Sequence, residues 1–171
     1  MPADNQNGKP GQELAWRWHD NLIYGIGFEI GDPDKGDWRS DLVLDIDFIV
    51  EWRRDDDGKF RFLVAPARLA FHQAGDLSIA LDHGDSGGRV AMNELAIGSV
   101  ARERLVHPVE MWRWSILLNA PRGGRITFSA SGFTETLLDA PSLMDRQHLP
   151  RGGPGWRTRL ARRSSPGAAP A

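Results

Sequence analysis

Residues 41–52 read Asp41-Leu42-Val43-Leu44-Asp45-Ile46-Asp47-Phe48-Ile49-Val50-Glu51-Trp52. The even positions are all apolar, and Asp41, Asp45, Asp47 and Glu51 dominate the odd ones. A period of two sustained over twelve residues is a β-strand with one core face and one acidic face. A helix would scatter the same carboxylates around its circumference and gather no apolar stripe.

Working outward from this strand, Arg54-Asp55-Asp56-Asp57-Gly58 reads as a hairpin turn. If Arg53 faces Lys59, then Trp52 faces Phe60, Val50 faces Phe62 and Phe48 faces Val64. On the other face Glu51 meets Arg61 and Ile49 meets Leu63, so apolar meets apolar and acid meets base. Pro66 lacks an N–H for a continuing ladder, so this partner strand is expected to stop near Ala65. That leaves Asp45 and Asp47 without cross-strand partners.

Upstream, Leu14 to Trp18 and Leu22 to Ile30 alternate around the polar break His19-Asp20-Asn21 and read as two short strands. Downstream, Ala67–Phe71 and Leu77–Leu81 read as short strands, Val90–Ile97 is ambiguous, and Val100–Val109 is a further strand candidate. A second hairpin spans Trp112–Phe133 with its turn at Pro121-Arg122-Gly123, pairing Leu118 with Ile126, Ile116 with Phe128 and Trp114 with Ala130. Thr134–Leu149 holds a last strand or short helix. The chain is therefore expected to be all-β, an antiparallel β-sandwich or partly closed barrel of about eight or nine strands with little helix.

The 171 residues fit one domain, read as a disordered leader at 1–11, a β domain at 12–149 and a basic disordered tail at 150–171. Absence of cysteine excludes disulfides, thiolate metal sites and cysteine nucleophiles. No stretch of eighteen apolar residues and no signal-peptide pattern occurs, so a cytoplasmic protein with no membrane association is expected. Five of the 21 Lys and Arg residues follow Pro150 with no acid among them, leaving 16 against all 23 Asp and Glu in the body. An acidic body thus carries a basic tail. Five arginines with Trp156 as the one interleaved aromatic make a thin nucleic-acid footprint, and a solvated tail is preferred.

His19-Asp20-Asn21, Trp38 with Leu42 to Asp47 and Glu51-Trp52, Ala65-Pro66-Ala67 with Leu69 and Phe71-His72, and Trp112-Arg113-Trp114 through Ser129 to Phe133 resemble a group of small uncharacterised bacterial proteins. The resemblance spans about residues 16 to 149. It implies no activity, cofactor or catalytic residue.

The candidate site is Asp45 and Asp47 with His19 or His72. Carboxylates at i and i+2 share a strand face about 7 Å apart and can converge on a divalent metal, with an imidazole favouring a transition metal. The alternative, which the lack of His-rich spacing favours, is an outer face whose acids pair with Arg39, Arg68 or Arg113. His19-Asp20 is an acid–base candidate, but a hydrogen-bonded turn suits adjacent residues better. No Gly-x-Ser-x-Gly, phosphate loop or dinucleotide fingerprint occurs, so no organic cofactor is expected. Of the seven tryptophans, Trp16, Trp18, Trp52, Trp112 and Trp114 are assigned to the core, and Trp38 and Trp156 to the surface.

These readings favour a non-enzymatic binding module for a protein or small ligand. The competing reading is a metal-assisted, hydrolase-like enzyme on the acidic strand face. A third is an antitoxin-like inhibitor whose acidic face masks a basic partner.

Overall fold

The computed structural model describes residues 16–82 and 95–150. The leader, the tail beyond Pro150 with Trp156, His83 and the rest of its loop, and residues 90–94 of the ambiguous segment lie outside the described residues. The strands are β1 Leu22–Ile30, β2 Ser40–Arg54, β3 Phe60–His72, β4 Gly75–Ala80, β5 Leu95–Arg104, β6 Trp112–Ala120, β7 Arg125–Ala130, β8 Gly132–Leu137 and β9 Ser142–Met144. A short 3-10 turn, Pro33–Lys35, interrupts the β1–β2 connection. All pairings are antiparallel, in the order β4-β7-β6-β5-β1-β2-β3-β8, with β9 also on β3. The sheet is all-β as expected and is not closed into a barrel. No described helix is long and apolar enough to cross a membrane.

The sheet folds over on itself at two chain corners. β3 runs into β4 through Gln73-Ala74, and β7 into β8 through Ser131. The register is carried across both corners, since Phe71 faces Phe133, His72 faces Gly132 and Gly75 faces Ser129. Gln73 and Asp76, both in the left-handed region (φ 52 and 51), supply the bend. The half containing β1, β2, β3 and β8 therefore packs against the half containing β4 to β7. Leu42, Leu44, Ile46, Leu69 and Phe71 meet Trp114, Ile116, Ile126 and Phe128 in one core. The Phe71 ring lies 5.1 Å from Trp114 and 4.6 Å from Phe128, both near edge-to-face.

Several expectations are corrected. Trp16–Asp20 is a helical turn instead of a strand, and Asp20 (φ 63) turns the chain into β1. Trp18 is fully buried beneath it, whereas Trp16, on the opposite side of the turn, is 66% exposed. Asn21 closes this end: its backbone O accepts from Ile97 N, and its Oδ1 accepts from Ile49 N. β3 does not stop at Ala65 but runs through Pro66 to His72. In an antiparallel ladder a residue's N and O point to the same edge, and the Pro66 O accepts from Leu138 N, away from β2. The missing proline N–H therefore falls where β3 changes neighbour from β9 to β8, and the β2 ladder is intact.

Both hairpin registers differ from expectation by two residues near the turn: Trp52 faces Phe62, and Trp114 faces Phe128. A slip of two preserves which side chains share a face, so alternation alone cannot exclude it. The turn decides it. Asp55 N donates to Lys59 O, which leaves three residues, Asp56 to Gly58, in the loop where the expected pairing left five, with Gly58 left-handed (φ 79). A bulge between Ile49 and Glu51 then shifts the rest of the ladder by one residue, bringing Asp45 opposite Arg68.

Candidate functional site

The face of β2 read as acidic and outward becomes a grid once the neighbouring strands are aligned. Across β1, β2, β3 and β8 one row runs Gly25, Asp45, Arg68, Thr136, and the next runs Gly27, Val43, Ala70, Thr134. The row beyond contains Glu29 opposite Asp41 and His72 opposite Gly132. A middle row of small side chains thus lies between two polar ones.

The carboxylates on this face are buried, contrary to a solvated acidic surface: Asp41, Asp45 and Asp47 are 8%, 8% and 2% exposed. Burial of a charge is tolerated only with partners, and each has them. Arg68 Nε donates to Asp45 Oδ1 at 2.9 Å, and its Nη1 lies 3.5 Å from Glu29 Oε1. The Asp45 carboxylate raises the Arg68 pKa by hydrogen bonding to it, so the guanidinium is held charged. Asp47 Oδ2 accepts from Leu149 N at 3.0 Å, because the segment after β8 crosses this end of the face. Of the arginines expected to neutralise the face, Arg68 is the one that reaches Asp45.

His72 and His19 go elsewhere. His72 Nδ1 is 3.1 Å from Asp41 Oδ2, and its Nε2 is 2.7 Å from Thr134 Oγ1. The second Asp41 oxygen accepts from Gln73 N at 3.3 Å. His19 Nδ1 lies 3.1 Å from Asp20 Oδ2, and Asp20 also accepts from Asn119 and Gln147, as a hydrogen-bonded turn requires. The four candidate ligands therefore have separate partners. Among the described residues no group of three or more His, Asp or Glu is arranged to hold a metal ion.

A second region stands apart. β1 pairs with β2 only as far as Asp47, and β8 and β9 pair with β3 only from Phe62 onward. The hairpin tip beyond these points is a two-stranded ribbon. Trp52 lies opposite Phe62 and Arg54 opposite Phe60, so three rings share one face. Trp52 packs edge-on at 4.9 Å from Phe62 and 6.3 Å from Phe60, and the Arg54 guanidinium sits 5.8 Å from the Phe60 ring centre. Trp52 and Phe60 are nevertheless 51% and 56% exposed. Around them Glu51 pairs with Arg53, Arg61 with Asp55 and Lys59 with Asp57, instead of Glu51 with Arg61.

Trp52 was assigned to the core by its parity with Leu44 and Ile46. The bulge at Val50 reverses that parity, so Trp52 and Phe62 stand on the face of Asp45 and Arg68, beyond the point where β1 ends. Asp41 and Thr134 had no sequence signal, since they meet His72 only through pairings 31 and 62 residues apart. No protein-family model, no curated protein and no solved structure matches this chain, so the resemblance noted above gains no family from these comparisons.

Proposed function

We propose that the chain is an interaction module that engages a protein partner through the tip of the β2–β3 hairpin. The observation that carries this reading is the pair of exposed rings Trp52 and Phe60, packed beside half-buried Phe62, on a ribbon that extends past its neighbours. Aromatic residues and arginine are the side chains that dominate binding energy at protein interfaces, where a partner removes them from water. The flanking ion pairs supply a polar rim of mixed sign, which suits a partner of mixed charge over one that is strongly basic or acidic. A metal-assisted hydrolase draws no support from the sheet face, where Asp45 is tied to Arg68 and Asp47 to Leu149.

The test is photo-crosslinking in cells that express the protein, with benzoylphenylalanine at Phe60 and, as control, at the exposed Thr136 of β8. The reading predicts a discrete adduct from position 60 and none from position 136. Wild-type protein without the crosslinker should compete the adduct away, and a Trp52→Ala variant should not. Absence of an adduct at 60, or equal competition by both proteins, contradicts the reading.

A further inference from the structure

Three side chains from separate strands line up as carboxylate, imidazole and hydroxyl. Asp41 comes from β2, His72 from the end of β3 and Thr134 from β8, and the contacts are 3.1 Å and 2.7 Å. Asp41 is buried and further fixed by Gln73 N–H, while Thr134 is exposed and His72 half-buried. In the neutral imidazole one nitrogen donates and the other accepts. The carboxylate selects Nδ1 as the donor, which leaves the Nε2 lone pair to accept from the Thr134 hydroxyl. This is the arrangement by which a histidine withdraws a proton from a weak nucleophile, recognised by geometry and not by sequence order.

The surroundings leave room for a reaction. Gly132 faces His72 across the ladder, and a Cβ placed there would meet nothing within 4 Å. Thr134 lies diagonally from His72 and directly opposite Ala70, so its neighbours are a glycine and an alanine. The space beside the hydroxyl is open and its floor is small and apolar.

We propose that Thr134 is an activated nucleophile that accepts the acyl group of a short-chain activated ester. Thr134 Oγ bonds to the acyl carbon as its proton passes to His72 Nε2. The bond from the acyl carbon to the leaving oxygen breaks, and the leaving alcohol departs with that proton. Water then adds to the acyl carbon and gives its proton to His72, which returns it to Thr134 Oγ as the ester bond breaks and the carboxylic acid is released. Thr134 and His72 are the catalytic residues, and Asp41 is a positioning residue that sets the tautomer. The inference is independent of the hairpin reading and involves the opposite end of β3.

The experiment treats the full chain with p-nitrophenyl acetate and maps acetylation by peptide mass spectrometry. Hydroxylamine treatment distinguishes an ester on Thr134 from amides on lysine. The proposal predicts a hydroxylamine-labile acetyl group on Thr134 that is lost in Thr134→Val. In His72→Gln its formation slows by about 10²-fold or more, in the range expected for losing a general base. Thr134→Ser keeps both fold and reaction. Asp41→Asn slows acylation, and Asp41→Glu restores part of it, which a purely structural role for Asp41 does not predict. Circular dichroism confirms that each variant is folded. No ester at Thr134 in the wild-type protein, or an equal rate in folded His72→Gln, overturns the proposal.

Discussion

The two ends of the β2–β3 hairpin share one sequence pattern and have opposite surroundings. From Asp41 to Ile49 the strand is covered on both faces, with the core beneath and the outer side chains tied to Arg68, His72 and Leu149. Beyond the bulge at Val50, Trp52 and Phe60 stand on the outer face, and Val50, Trp52 and Phe60 are all exposed. Alternation specifies which side chains share a face until a bulge reverses it, and the neighbouring strands specify whether that face is buried. The first is a property of the segment, and the second depends on where β1, β8 and β9 stop.

This contrast can be broken first at its strongest point. Leu44 is fully buried between the two halves of the sheet, so Leu44→Ala should lose about 2–5 kcal/mol of unfolding free energy in a urea titration. A loss below 1 kcal/mol would mean that the core is not centred there. A smaller effect is expected on the outer face. Arg68→Met removes the guanidinium from a nearly buried Asp45 and should cost roughly 1–3 kcal/mol, less than a fully buried pair because Arg68 is partly solvated. Adding Asp45→Asn should recover part of that loss, because the stranded charge is gone. Additive losses in the double variant would show that the pair does not act as one unit.

At the tip the effects should be smaller still. Trp52→Ala gives up its edge-on ring contacts but little burial, so the change should stay within about 1 kcal/mol. The smallest effect concerns pH. Arg53 lowers the pKa of Glu51, and Lys59 that of Asp57, by hydrogen bonds to their carboxylates. A carboxylate whose folded pKa is depressed stabilises the protein above its unfolded pKa and loses that contribution as pH falls through the folded value. Glu51→Gln with Asp57→Asn should therefore flatten the acid limb of a stability profile slightly, and raised salt should erase the difference. An acid limb unchanged by the substitutions would remove the tip ion pairs from the account.

Much of the fold is legible in the residues because alternation and turn chemistry are local. Leu42, Leu44 and Ile46 announce a core face, and Pro121 to Gly123 announce a turn. Register is less legible, because a slip of two leaves every facing unchanged and the bulge at Val50 has no signature in the sequence. Pro66 misleads for a geometric reason: its absent N–H matters only on the edge it points to, and that edge is set by strand order. The candidate site is the least legible part. His72 stands out as a titratable residue beside a loop, but Asp41 and Thr134 join it only after three strands pair. Trp16 and Trp18 are likewise separated by a helical turn that two residues of alternation cannot reveal.

Hydrogen exchange read by mass spectrometry along the whole hairpin tests the contrast most directly. Amides of Leu42–Asp47 and Ala67–Phe71 should exchange only on global unfolding. Those of Trp52–Arg54 and Phe60–Arg61 should exchange by local opening, at least about tenfold faster, because few buried contacts hold the ribbon closed. Equal protection from one end of the hairpin to the other would contradict the account, since the tip would then be part of the packed body and not an exposed two-stranded ribbon.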